Sequence, residues 1–224
     1  SALLAGLPVA KQPLRVLRNQ SYINLYDAQQ RQSRAVAFRI DPNPGPHAAA
    51  PQQFFADPRL PQRSVQELQR GPWQPQPLAP AAALAQTYSA VGANEAHLVS
   101  NLVPMAAGTE LVWQRLMHEL TVCYPKRFGE MWLYVGPVTG PQSPQLTSGV
   151  PIPDSLYAIA FDLTASGGLR AIAFLVPQHA ADAPLHHYLT SIAHIEQLTG
   201  LQFLPEVDYH AREVLRATVS PGLW

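Results

Sequence analysis

Apolar and polar positions alternate near the start of the chain. In residues 21–27, Tyr22, Asn24 and Tyr26 point one way and Ile23 and Leu25 the other, and residues 35–40 again favour extended structure. The two stretches are expected to form a hairpin around a polar turn at 29–34. Farther on the period changes. Leu111, Trp113, Leu116, Met117 and Leu120 recur at helical spacing, which predicts one long helix over 110–124 with its apolar stripe on a core. Residues 131–135, 156–163 and 169–176 are apolar and rich in aromatic or β-branched side chains. They predict strands of a central sheet, the last two joined by Ser166-Gly167-Gly168. Residues 81–88 have helix-forming composition. Residues 185–199 predict a helix or two short ones, with Gly200 placed as a left-handed cap.

Proline interrupts this pattern. Many of the 23 prolines fall in residues 42–61 and 72–80, where they fix φ and remove backbone donors, so both stretches are expected to be extended surface loop. No internal repeat divides the chain, and 224 residues suit one core.

Charge changes the picture more than size does. Fifteen Lys and Arg balance fifteen Asp and Glu, so the global positive field that commonly accompanies nucleic-acid binding is missing. No apolar run is long enough to cross a bilayer, and no membrane association is expected. The lone Cys123 excludes an internal disulfide and reads as a small buried hydrophobe. The apolar opening Ser1-Ala2-Leu3-Leu4-Ala5-Gly6 fits what remains after a leader or tag is removed.

Several motifs then follow one another in a familiar order. They are residues 17–37, Phe55-Ala56-Asp57-Pro58-Arg59-Leu60-Pro61, Ser100-Asn101 with Pro104 and Trp113, and Tyr134-Val135-Gly136-Pro137. Residues 150–157, 171–177 and Ile195-Glu196-Gln197-Leu198-Thr199-Gly200-Leu201 continue the series. As an ordered set they resemble the DNA/RNA non-specific endonucleases, a family of ββα-metal, His-Me finger nucleases. The resemblance implies an α+β fold with a central, mostly antiparallel sheet flanked by helices. It covers residues 14–205, leaving 1–13 as an N-terminal extension and 206–224 as a tail. It also implies export, so a periplasmic or secreted location is expected.

The family's catalytic residues are where this chain departs. A metal-dependent nuclease needs a base for the attacking water and a divalent cation for the leaving oxygen. The resemblance places the base, a histidine, at the end of an Asp-Arg-Gly-His sequence, and a metal-holding asparagine on the next helix. Anchoring on Leu78-Ala79-Pro80 puts Gln74, Pro75, Gln76 and Pro77 at those four positions; anchoring on Arg70-Gly71 puts Pro72 at the histidine. Proline has no proton to exchange in either register. The asparagine falls on Thr109 counted from Trp113, or on Glu110 counted from Asn101, and the helix glutamate falls on Met117.

The remaining polar residues have two readings each. Asn101 could contact nucleic acid or clamp a turn. Glu110 could hold Mg²⁺ or simply sit well at a helix start. Arg70 and Arg115 could bind phosphate or be solvated surface. His97 is the histidine nearest the presumed site in sequence and the candidate substitute base, while His186, His187 and His194 lack metal-ligand spacing.

Three expectations follow. The first is a degenerate pseudonuclease that keeps a scaffold for nucleic acid. The second is a protein-interaction module in which the Pro-rich loop presents Trp73. The third is a nuclease rebuilt around His97 and Glu110.

Overall fold

The computed structural model describes residues 3–43, 45, 48–69 and 71–224. Its centre is an antiparallel sheet whose strands run β10-β9-β8-β7-β4-β3-β2. In chain order these are β2 (Arg15–Arg18), β3 (Ile23–Asp27), β4 (Gln32–Ile40), β7 (Met131–Val138), β8 (Ser155–Leu163), β9 (Leu169–Pro177) and β10 (Leu189–Thr190). Two ribbons accompany it: β1 (Val9–Ala10) with β11 (Leu201–Gln202), and β5 (Gln74–Pro77) with β6 (Leu102–Met105).

The inner strands read as unbroken apolar runs because both faces of the sheet are covered. Val36, Phe38, Leu156, Ala158, Ala160, Ile172 and Phe174 belong to one core, where α2 (Ala107–His118) contributes Val112, Trp113, Leu116 and Met117. The alternate residues Ala35, Ala37, Tyr157, Ile159, Phe161 and Ala173 belong to a second core, covered by Ile192 and Ile195 of α4 (Ile192–Thr199) and by Phe203. The strand period of two thus separates two helical layers. Leu3, Leu4, Leu7 and Ala10 also pack on the second core, and Arg216 of α5 (Tyr209–Ala217) pairs with the buried Glu196 at 2.5 Å. Both ends of the described chain therefore rest on the same sheet.

Most predicted elements are present, with physical differences. The helix expected over 110–124 is α2, a π-helical turn over Glu119–Cys123, and α3 (Tyr124–Phe128). Leu111 is 62% exposed, because Val112 takes its place in a stripe with Trp113, Leu116 and Leu120. Cys123 is free and half-buried rather than buried. The predicted helix over 81–88 is the first half of α1 (Ala81–Ala96), which breaks at Ser89 (φ 56°, ψ −143°). That break brings Gly92 so close to the Leu84 carbonyl that a Cβ would lie 2.4 Å from it. Residues 185–190 form a 3₁₀ turn and β10 before α4, and Gly200 caps α4 in the left-handed region (φ 73°), its N–H bonded to Glu196 O at 2.8 Å.

Residues 74–77 correct the loop expected over 72–80: they form a strand. Its register pairs Pro75 with Pro104 and Pro77 with Leu102. Antiparallel pairs alternate between hydrogen-bonded and non-bonded, so prolines at i and i+2 both fall where no ladder donor is needed. The ribbon tolerates three prolines because they share one phase.

Candidate functional site

The β5–β6 ribbon and α2 stand where the sequence resemblance puts the catalytic motif; α2 packs on the main core, and a satellite core supports the ribbon. Leu68, Val99, Leu102, Leu146, Val150 and Ile152 are buried there, with Phe54, Val65 and Trp73 packed against them. Beside this core a groove of about 420 Å³ is walled by Phe54, Gly71, Trp73, Gln74, Pro75 and Gln76.

Asn101 fixes the end of β5. Its side chain is fully buried; Oδ1 accepts from Ala79 N at 3.0 Å, and Nδ2 donates to Ala79 O at 3.0 Å and Ala96 O at 2.7 Å. Its backbone carbonyl accepts from Leu78 N at 2.8 Å. Both donors of the amide are spent on the fold, which favours the turn-clamp reading of Asn101. What it clamps is the turn just after Pro77, which sits half-buried at the strand end opposite Leu102.

The metal positions are likewise occupied by structural roles. Thr109 is fully buried, and its hydroxyl donates to Pro177 O at 3.2 Å and accepts from Ala180 N at 3.4 Å. Met117 lies in the main core. Glu110, half-buried in the first turn of α2, accepts from Gln114 Nε2 at 3.1 Å. Among the described residues no three His, Cys, Asp or Glu side chains gather as a metal would require. Mg²⁺ keeps most of its waters and takes only one or two protein oxygens; with the Thr109 hydroxyl committed and Met117 in the core, such a cation would rest on Glu110 alone.

His97 and Glu110 each have partners of their own. His97 caps the C-terminus of α1, its Nδ1 3.0 Å from Gln53 O and its ring centroid 4.8 Å from that of Phe54. Its carbonyl accepts from Phe55 N at 2.9 Å, so it latches the 53–55 segment to the turn before β6. Arg115 of α2 is 45% exposed but tied to the loop after β9, bonding Asp182 Oδ1 at 3.0 Å and Ala183 O at 2.8 Å. Arg70 lies outside the described residues.

Two residues the sequence did not single out complete the site. Gln178 holds the start of α2 to β6, accepting from Ala106 N at 3.0 Å and donating to Pro104 O at 2.9 Å. The next residue, His179, adopts φ 55° and sets its ring 5.4 Å from the half-buried Trp73. Only the return of β9 to this end of the ribbon brings them together, and no local motif signals it.

The groove offers aromatic faces and the amides of Gln74 and Gln76, groups that stack and hydrogen-bond. Pro77, at the strand end, adds no proton acceptor. Among the described residues no helix is long and apolar enough to cross a membrane. The family model of the DNA/RNA non-specific endonucleases matches residues 7–210. A protein described as a nuclease, from Syncephalastrum racemosum, is 29% identical over 139 residues, which cover 51% of this chain and 42% of that protein. The chain thus spans about two fifths of that relative's length.

Proposed function

Because the chain belongs to the DNA/RNA non-specific endonuclease family, whose nucleases are generally metal-dependent, we propose that it is a degenerate member that binds nucleic acid without cutting it. The observation that carries this reading is that a proline falls at the family's base in either register, Pro72 or Pro77, the latter held at the end of β5 by the Asn101 clamp. A proline there cannot take a proton from water, and no environment changes that. Thr109 and Met117 support the reading, since neither offers a metal a free ligand. The test is incubation of purified protein with plasmid DNA and with RNA in Mg²⁺ or Mn²⁺. No degradation above an EDTA control is expected, together with retention of single-stranded oligonucleotide in a gel-shift assay. Cleavage abolished by EDTA and by His97→Ala or Glu110→Ala would replace the reading with a rebuilt nuclease. The family's habit of export makes a periplasmic or secreted location part of the reading, to be checked by fractionation.

A second reading draws on Trp73. It is half-buried rather than presented as a free anchor, but it walls the groove beside Phe54 and Pro75, which suits a proline- or aromatic-bearing peptide of a protein partner. Trp73→Ala that leaves oligonucleotide retention intact while abolishing capture of a defined protein partner would favour it.

A further inference from the structure

A second cavity, of about 480 Å³, opens between the β2–β3 edge of the large sheet and the loop that follows Asp57. Arg15 of β2, Tyr26 of β3, Arg31 of the β3–β4 turn, and Leu60, Pro61 and Arg63 of the loop line it. Three guanidiniums therefore face one space. Among the described residues Glu67 is the carboxylate that answers them, accepting from Arg63 Nη1 and pairing with Arg31 Nη2 at 2.8 Å. Three positive charges against one negative leave a surplus of two. The other carboxylates nearby are engaged elsewhere, Asp27 with Arg34 at 3.6 Å and Asp57 with Arg59 at 2.8 Å.

The lining also holds unmet hydrogen-bonding capacity. Arg63 is 8% exposed and Tyr26 2%, and neither Arg63 Nε nor the Tyr26 hydroxyl has a partner of good hydrogen-bonding geometry, although the phenol lies near enough to the Arg63 side chain to feel its pull. A buried donor without a well-placed partner is costly, the more so when charged, and native proteins rarely keep two such groups together without use. Burial holds the Tyr26 phenol above its ordinary value, against the pull of Arg63 and Arg31, so it remains a donor at neutral pH. Arg31 adds a backbone sign: it adopts φ 57°, a region non-glycine residues avoid, while its guanidinium is fixed to Ser148 O at 3.1 Å. Arg15 spends one nitrogen on Arg59 O at 3.1 Å and remains exposed at the mouth.

We propose that this cavity is an oxyanion site that takes a phosphoryl group, on a small phosphate monoester or on a nucleic-acid strand. Guanidinium forks match phosphoryl oxygens geometrically, and a surplus of two charges matches a phosphate dianion better than a single carboxylate. The residues lie outside the β5–β6 ribbon, so the proposal stands whether or not that ribbon cleaves or binds.

Isothermal titration of the whole chain with inorganic phosphate at constant ionic strength, held with NaCl, tests it. A short oligonucleotide, with and without a 5′-phosphate, is titrated in parallel. Phosphate is expected to bind, and Arg15→Gln, at an exposed position that the fold does not depend on, to weaken it about tenfold, the loss of one charge-assisted contact. Tyr26→Phe removes a hydroxyl with no well-placed partner; it is expected to leave thermal stability unchanged or raised while weakening phosphate. Binding of the oligonucleotide only when it carries the 5′-phosphate assigns the site to monoesters. Equal binding of both forms, displaced by inorganic phosphate, assigns it to the strand backbone. No phosphate binding by the unaltered protein, or binding that Arg15→Gln and Tyr26→Phe both leave unchanged, overturns the proposal.

Discussion

Asn101 and Ala79 exchange two hydrogen bonds, side-chain amide to backbone amide, each 3.0 Å long. The side chain thereby imitates one rung of a β-ladder, continuing the β5–β6 pairing one step beyond the point where the backbone of Asn101 bonds Leu78. A third bond, to Ala96 O, ties the last turn of α1 to the same group. Strand, turn and helix of the candidate site therefore converge on one buried amide.

Asn101→Ala is accordingly expected to cost about 2–4 kcal/mol, since it strands the Ala79 N–H and two carbonyls in a buried site. Asn101→Asp should be no milder, because a carboxylate cannot donate to the Ala79 and Ala96 carbonyls. Urea unfolding followed by tryptophan fluorescence measures both. An aspartate variant as stable as the unaltered protein would mean that the amide donor is not what holds the turn.

Asp57 gives the fold a pH dependence. Burial alone would raise its carboxyl pKa, but Arg59 at 2.8–2.9 Å, the Ser100 hydroxyl at 2.6 Å and the Arg59 N–H hold it below the ordinary carboxylate value. A depressed folded pKa stabilises the protein above the unfolded value, about 3.9, and that contribution is lost as pH falls through the folded value. Asp57→Asn should therefore be less stable than the unaltered protein at pH 7, by about 2–3 kcal/mol, and the gap should narrow below pH ~4. A gap independent of pH between 7 and 3 would assign the loss to packing.

Gly136 and Tyr157 make a second strict requirement. They are cross-strand partners in β7 and β8, and the Tyr157 hydroxyl donates to Arg34 O at 2.7 Å. A Cβ on residue 136 would lie 2.4 Å from that carbonyl and 2.5 Å from the hydroxyl. Gly136→Ala must displace one of them and is expected to cost about 3 kcal/mol or more. Pairing it with Tyr157→Phe should recover part of the loss, which calorimetric melting of the two single variants and the double variant would reveal.

What could be read from the residues alone depended on how far the governing contacts reached. Strands such as β8, buried on both faces, announce themselves by unbroken apolar character, and Gly200 by the local chemistry of a helix end. β5 was hidden because its prolines argue against a strand until the phase of its partner is known, and that partner, β6, lies beyond the whole of α1. The contact of Trp73 with His179, and the cavity joining Arg15, Tyr26, Arg31 and Arg63, depend on the order of strands in the sheet. Neither leaves a spacing along the chain. That prolines, at 72 and 77, stand where the family's motif would put a histidine in either register was legible, because reading it needs only alignment; that Asn101 and Thr109 are spent on the fold needed their partners.

If Pro77 stands for the family's base, as proposed, restoring a histidine there should not by itself restore cleavage. Pro77→His would place an imidazole at the end of β5 with the Asn101 clamp still closing the turn behind it. Removing the proline also returns a backbone N–H at a ribbon position that faces away from β6, where water or a neighbouring group can satisfy it. The variant is thus expected to fold with a melting temperature within a few degrees of the unaltered protein, as for most substitutions outside a core. Cleavage still needs a cation on the leaving oxygen, and the Thr109 hydroxyl remains bound to Pro177 O while Met117 stays in the core. Plasmid incubated with Pro77→His and Mg²⁺ should therefore remain intact. If the variant acquires EDTA-sensitive cleavage, a metal site has survived around Glu110, and the degeneracy of this chain reduces to the loss of a single base.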